Sequence, residues 1–243
     1  MANTSIGVDV GSTSIRAAEV KYNGKTMKVL RVAEVPLERG IIIGGEVRDP
    51  EALTDAVKEL WKLGKFSSKI VSVGIGGPQT LVRQVDLPWE APEAFREALP
   101  LRIGSDLPVD PHEMTIDYHP LEDHMKGKVR VQRALIVASV NSVAENTADA
   151  LLNAKLKLKR ADFSPFALIR TAVIAAGTGA PVPEPQGPDE EWDCEVVVDV
   201  GEQTTIVAIH HLGRPLFIRC PTALLQNGCA VKESWVGSIK FHV

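Results

Sequence analysis

The tetrapeptide Val-Asp-Val-Gly occurs twice, at residues 8–11 and again at 198–201, and this repetition constrains the fold more than any other feature of the chain. Each copy closes a short apolar run of strand character. Small hydroxyl residues follow in both: Ser12, Thr13 and Ser14 after the first, Thr204 and Thr205 after the second. A second apolar run comes next, Ile15 to Val20 in one case and Ile206 to Ile209 in the other. Two strand–turn–strand units this far apart in one chain point to a duplicated fold with two facing halves.

A tight turn that carries glycine and hydroxyls after a strand offers backbone N–H and O–H donors to phosphate oxygens. The aspartate before it has the wrong sign for phosphate. It suits Mg²⁺ or a water of its shell, because magnesium takes carboxylate and phosphate oxygens together. One such turn often does no more than close a β-turn. Two facing copies favour a clamp on one polyphosphate.

The first copy opens a meander. Asn23-Gly24 is a strong two-residue hairpin signal, since a type I′ turn needs positive φ at both central positions. Met27 to Val35 supplies the third strand, and a helix then opens with Asp49 as N-cap and Pro50 in its first turn. Leu53, Val57, Leu60 and Trp61 form its apolar stripe. Ile70 to Ile75 reads as a buried strand, ended by the turn Gly76-Gly77-Pro78; the glycines from Gly74 lack dinucleotide-loop spacing.

From Gln79 a second block is expected: strand Leu81–Leu87, helix Pro92–Ile103 broken or kinked at Pro100, and strands Met114–His119 and Val129–Ala138. A helix with a Ser142/Glu145 capping box closes it. The chain then returns to the first domain through Ser164-Pro165 and an apolar helix to Ala176, with Gly177 as its terminal glycine. A proline-rich acidic linker leads to the second meander.

Composition excludes several classes. A net charge of −4 gives no reason to expect nucleic acid as a main partner. Three cysteines without a Cys-x-x-Cys pair, and six scattered histidines, supply neither a disulfide framework nor a zinc site. No window approaches the ~20 apolar residues of a membrane span, and the N-terminus carries no signal-peptide pattern. No direct membrane insertion is therefore expected.

The paired motifs resemble the two phosphate motifs of the actin/Hsp70/sugar-kinase superfamily. The segments 6–20, 81–88, 161–170 and 195–205 are similar, in order, to the PilM family of actin-like proteins of type IV pilus assembly, a relative of FtsA. The resemblance implies an α/β, actin-like (ribonuclease H-like) ATPase fold with an inserted α+β subdomain, 1C. Subdomain 1A would take residues 1–78 and 160–178, 1C residues 79–159, a linker 179–193, and a partial 2A residues 194–243. It implies ATP and Mg²⁺ as cofactors, with Asp9, Gly11, Ser12, Thr13 and Ser14 on one side of the phosphates and Asp199, Gly201, Thr204 and Thr205 on the other. Asp9 and Asp199 would hold the metal directly or through water, and no catalytic residue is assigned.

The resemblance also implies a partner, the N-terminal tail of a PilN-like inner-membrane protein, in a groove to which Arg83 and Leu87 are assigned by position. Other pilus assembly proteins or self-association would add to it, at a cytoplasmic location peripheral to the inner membrane. Departure from the family pattern begins after Arg219, where a Gly-Gly pair is expected and Cys220-Pro221 stands instead. The second half is thus expected to be incomplete, with weak or absent ATPase activity and with Trp235, Ile239 and Phe241 exposed or patched onto the sheet. Two other readings use the same motifs. A sugar- or acetate-kinase-like phosphotransferase needs a catalytic carboxylate motif between Gly40 and Ser164, and an FtsA-like division protein needs a terminal amphipathic helix. Neither feature is recognisable.

Overall fold

The computed structural model describes residues 3–23, 26–107, 109–176, 193–221 and 235–242. The hairpin glycine Gly24, the helix-ending Gly177, the linker and residues 222–234 lie outside that set.

The first repeat forms a meander of β1 (Asn3–Val10), β2 (Ser14–Tyr22) and β3 (Met27–Pro36). Alternation sends Ile6, Val8, Ile15, Ala17 and Val35 to one buried face. On the other face Asp9 stands opposite Arg16 in the β1–β2 register. A short hairpin of β4 (Ile42–Ile43) and β5 (Glu46–Val47) leads to α1 (Pro50–Gly64). The Asp49 carboxylate caps α1 by accepting from the Ala52 N–H at 2.9 Å, as expected. Leu53, Val57 and Leu60 are fully buried against the sheet; each contributes on the order of 2 kcal/mol by leaving water.

β6 (Ile70–Ile75) follows and pairs parallel to β1. β10 (Lys157–Phe163), much later in sequence, pairs parallel to β6, giving the sheet order β10-β6-β1-β2-β3. The long excursion between β6 and β10 is the insertion. It comprises β7 (Thr80–Pro88), α2 (Pro92–Ile103), β8 (Met114–Lys126), β9 (Val129–Val140) and α3 (Asn141–Asn153). The three strands make their own antiparallel sheet in the order β7-β9-β8.

Four local details differ from the sequence expectation. Helix α2 runs through Pro100 without ending, because Phe95, Leu99 and Ile103 at four-residue spacing are buried on Ala134 and Ile136 and hold it down. Strand β8 extends past His119 through Pro120, which an edge strand tolerates since its missing N–H faces away from the ladder. Helix α3 starts at Asn141 with Val140 as N-cap and no side-chain cap, so the Ser142/Glu145 box does not form. The same helix packs on α1: its Ala150 and Leu151 sit in one core with Leu53, Val57 and Leu60, away from the inserted sheet's own cluster.

Helix α4 (Ser164–Ala176) leaves β10 and crosses to the second sheet. That sheet holds β11 (Asp193–Val200), β12 (Thr205–His211), β13 (Arg214–Arg219) and β14 (Trp235–His242) in the order β13-β12-β11-β14. Ile169 of α4 is buried with Ile206, Ala208, Ile218 and Cys220 of this sheet and with Val82 and Leu135 of the insertion. One core thereby binds three units together. A polar link reinforces it, since Glu122 of β8 accepts from Arg133 at 2.6 Å and from Arg214 of β13 at 2.9 Å.

The two sheets differ on one side. Next to β1 stands the parallel β6, whereas next to β11 stands β14, which runs antiparallel with Val196 opposite Ile239. The backbone of 235–242 thus pairs along the second sheet, one of the two arrangements expected for that segment.

Candidate functional site

The two repeats fold alike to the level of single hydrogen bonds. In the first turn the Gly11 N–H donates to the Ser14 carbonyl at 3.0 Å, and in the second the Gly201 N–H donates to the Thr204 carbonyl at 2.9 Å. A Cβ on Gly11 would lie 3.1 Å from the Ser14 oxygen, and one on Gly201 would lie 3.0 Å from the Thr204 oxygen. Both positions therefore favour glycine by close approach of backbone to backbone. The register repeats as well: Asp9 faces Arg16 and Val10 faces Ile15, while Asp199 faces Ile206 and Val200 faces Thr205.

These turns look onto a shared cleft of about 690 Å³. Asp9, Gly11, Ser12, Thr13 and Ser14 line one wall, and Asp199, Gly201 and Thr204 line the other. Thr205 does not reach it. That residue is buried within its strand, in the place that Ile15 takes in the first repeat, and its N–H bonds the Pro221 carbonyl.

The electrostatics of the cleft are short of positive charge. Burial raises the pKa of Asp9; Arg16 opposes the shift at 3.9 Å and the Glu34 charge adds to it. The Asp9 side chain is nevertheless 62% exposed, so solvent screens much of that effect. Asp199 is raised by burial first and then by the charge of Asp9, again opposed by Arg16. Glu34 is lowered by the Ser14 hydroxyl and by Arg16, whose Nε it accepts at 2.9 Å. Two carboxylates that repel one another, beside donors suited to phosphate, form a place for a cation bridged to an anion. No cluster of three metal-ligating side chains exists among the described residues, so phosphate oxygens or waters would complete the shell of any ion held here.

Sequence reasoning passed over Arg16, although strand alternation sets it on the face opposite Ile15 and Ala17, toward Asp9. It also passed over the contacts that join the two halves. The Gly44 N–H donates to Gln203 Oε1 at 2.9 Å, and Arg39 reaches Glu202 at 3.5 Å. Gly45, with φ of 81°, packs so tightly that a Cβ there would stand 2.9 Å from the Gly76 carbonyl. No linear motif marks these pairs, because their partners lie far apart in sequence.

A second cleft, about 220 Å³, opens between the ends of β6 and β10 and the inserted sheet. Ile75, Val137, Phe163, Phe166 and Tyr118 give it an apolar lining, with the carboxylates of Asp117 and Asp162 at its border. Arg96 pairs with Asp117 at 3.1 Å and Arg170 pairs with Asp162. Asp162 lines both clefts, and α4 runs from Phe166 in the second to Thr171 in the first. Arg83 and Leu87 are elsewhere: Arg83 is exposed on β7, and Leu87 packs toward Phe95 beneath α2.

Comparison with known proteins identifies the family and the fold. The profile of the family described as "Type IV pilus assembly protein PilM" matches residues 7–222. Among solved structures, a "PilM-PilN type IV pilus biogenesis complex" superposes with a TM-score of 0.74 at 22% identity, covering 90% of this chain and 61% of that one. The cytoplasmic domain of EpsL, an inner-membrane component of the type II secretion system of Vibrio cholerae, superposes with a TM-score of 0.52 at 12% identity, over 90% of this chain and 71% of that one. The fold is that of the actin-like ATPases. This chain spans about three fifths of the length of the first relative.

Proposed function

The chain belongs to the type IV pilus assembly protein PilM family, and from that membership we propose that it is a nucleotide-binding assembly scaffold. It holds Mg-ATP between the two repeated turns and recruits the N-terminal tail of a PilN-like inner-membrane partner, on the cytoplasmic side. The observation that carries the nucleotide reading is the duplicated turn, with Gly11 and Gly201 making the same backbone bond on opposite walls of one cleft.

The donor set fits the ligand. The N–H groups and hydroxyls of Ser12, Thr13 and Thr204, which line the cleft, suit phosphate oxygens, Arg16 offsets part of the negative charge, and Asp9 with Asp199 suits a magnesium ion shared with phosphate. Magnesium would neutralise the charge that the two aspartates and the phosphates otherwise bring together. The chain's own residues bind and orient; none is assigned a proton-transfer role. Titration with Mg-ATP tests this directly. Wild type should bind, and Asp9→Ala should weaken binding at least tenfold, the scale of one charge-assisted contact. Equal affinities would remove the role given to that carboxylate.

For the partner, the second cleft is the better seat than the position assigned from sequence, because it lies between the first domain and the insertion and offers an apolar lining. A synthetic peptide of the tail should bind by calorimetry, and Val137→Asp should abolish binding while the circular dichroism spectrum stays that of wild type. Unchanged peptide affinity in that folded variant would exclude this cleft. No helix among the described residues is long and apolar enough to cross a membrane, so attachment through a partner suits the chain.

A further inference from the structure

The end of the first sheet farthest from the phosphate cleft is unlike the rest of the surface. Helix α1 feeds β6 and α3 feeds β10, and those strands are parallel, so both helices finish at one pole of the domain. The start of β10 is tied to the loop before β6 there, with the Lys157 N–H on the Lys69 carbonyl at 2.8 Å. The end of β2 and the start of β3 reach the same pole, since Lys21 pairs with Lys28 and Tyr22 with Met27.

Seven lysines gather at this pole from three connections. Lys62 and Lys65 end α1, Lys69 precedes β6, Lys155 and Lys157 join α3 to β10, and Lys21 and Lys28 flank the hairpin. All are exposed, and none belongs to a salt bridge among the described residues. Residues 62–70 and 152–160 contain no acid at all, in a chain whose net charge is −4. Of the acids close by, Glu19 is buried and already bonded by Arg31 and Ser67, and Glu59 and Asp149 stand one turn further back along their helices.

Two further observations set the patch apart. Large apolar side chains stand exposed among the lysines: Leu63, Ile70 and Leu152 are each more than half exposed, and Met27 and Val29 join them from β3. Both helices also end on a lysine in the left-handed conformation, Lys65 at φ 48° and Lys155 at φ 66°. Glycine adopts that conformation without the strain of roughly 1 kcal/mol that a side chain meets. The helix dipole returns part of that cost to a cation, so charge is kept at the point where backbone geometry favours losing it.

We infer that this pole is a docking surface for an anionic phospholipid bilayer, which the lysines meet electrostatically and the apolar side chains enter to a shallow depth. This goes beyond the partner-mediated attachment proposed above. Lysines whose stems lie along apolar surface while their ammonium groups reach phosphate suit a lipid interface, and the exposed apolar groups among them have no use against a purely polar polyanion. β6 then runs from the membrane side at Ile70 to the cleft at Ile75, about 17 Å at strand rise. The phosphate cleft would thus face away from the bilayer.

The test is co-sedimentation of the full chain with vesicles of phosphatidylcholine containing about 30 mol% phosphatidylglycerol, against vesicles of phosphatidylcholine alone. Binding is expected only to the anionic vesicles and should fall steeply between about 0.1 and 0.5 M salt. Lys69→Glu/Lys157→Glu should lower it at least tenfold, while the charge-matched Lys126→Glu/Lys128→Glu, on the distant β8–β9 turn, should leave it within about twofold. Leu63→Ser/Leu152→Ser should remove the part that survives high salt. No binding to anionic vesicles would overturn the inference. So would equal losses in the two lysine pairs, or apolar variants that bind as wild type, the last pointing to an acidic macromolecule as the occupant.

Discussion

Asp9 and Asp199 face a common cleft from opposite repeats, and the charge of Asp9 raises the pKa of Asp199. Both carboxyls lie above their ordinary value of 3.8, burial being the larger cause in each. A folded-state carboxyl with a raised pKa holds its proton where the unfolded chain has lost it, so its contribution to stability falls as pH rises from about 3.8 through the folded value. Asp9→Asn should therefore stabilise the ligand-free chain at neutral pH, by lowering the charge that Asp199 meets. The gain should vanish below pH 3.8, where both forms are neutral in either state. Urea midpoints of wild type and variant across pH 3 to 8 check it; a variant less stable at neutral pH would contradict the coupling. The same change should weaken Mg-ATP binding, so stability and ligand affinity move in opposite directions.

Glycines at the two turns and at the joint should respond differently. Gly201→Ala places its Cβ 3.0 Å from the Thr204 oxygen, and Gly11→Ala places its own 3.1 Å from the Ser14 oxygen, so each turn must open by a few tenths of an ångström. Nucleotide affinity should fall roughly tenfold in either, the worth of one or two weakened phosphate bonds, with little change in stability. Gly45→Ala combines φ of 81° with a Cβ 2.9 Å from the Gly76 oxygen. It should cost about 2 kcal/mol of stability or more. Thermal melts and Mg-ATP titrations on the three variants separate the two behaviours.

The link between the insertion and the second sheet is testable through Glu122. Its carboxylate serves Arg133 and Arg214 together at 2.6 and 2.9 Å, with the side chains about a third exposed or less. Glu122→Gln removes the charge shared by Arg214 and Arg133; Arg133 keeps Asp86 at 2.8 Å, so the loss falls mainly on Arg214, at an expected cost of about 1 kcal/mol. A double-mutant cycle with Arg214→Met should show a coupling of roughly 1 kcal/mol. Strict additivity would mean that the Glu122 bridge adds nothing to the apolar core around Ile169 in joining the insertion to the second sheet.

What the sequence made legible follows from how local each signal is. The strand–turn–strand repeats, the Asp49 cap and the stripe of α1 depend on residues within a few positions of one another, and the structure matches them. The bounds of α2 match the expectation, whereas its unbroken run through Pro100 and the start of α3 at Asn141 carry no local mark, because burial of Phe95, Leu99, Ala150 and Leu151 outweighs a local breaker or cap. Thr205 shows a finer limit. Motif spacing includes it, yet register places it beside Val200 with its side chain in the sheet. Arg16 was open to the same register argument and would have been found by applying it. Contacts such as Gly44 to Gln203 link residues far apart in sequence, and only the folded chain brings them together.

Cys220 directly follows the last strand of the second repeat, within the residues that the family profile matches, and its surroundings give it a definite chemistry. It is buried beneath α4 with Ile169 and Ile218, and desolvation pushes its thiol up to about 11, only partly opposed by the Gly77 N–H. Relative to an ordinary thiol at 9.0, that leaves about a hundredfold less thiolate at pH 8, and thiolate is the reactive form. Brief alkylation with iodoacetamide at pH 8, followed by peptide mass mapping, should leave Cys220 unmodified in the folded chain and modify it fully in denaturant. The rate should rise with pH up to about 11. Because the side chain is packed, opening of the core would also admit the reagent, and the two routes differ in their dependence. A rate that goes on rising with hydroxide above pH 9, where an ordinary thiol levels off, reports the raised pKa. A rate that instead tracks urea at fixed pH reports separation of α4 from the second sheet. Rapid labelling of the native chain at pH 8 would mean that α4 does not seal that sheet, and the core that joins the three units would have to be drawn differently.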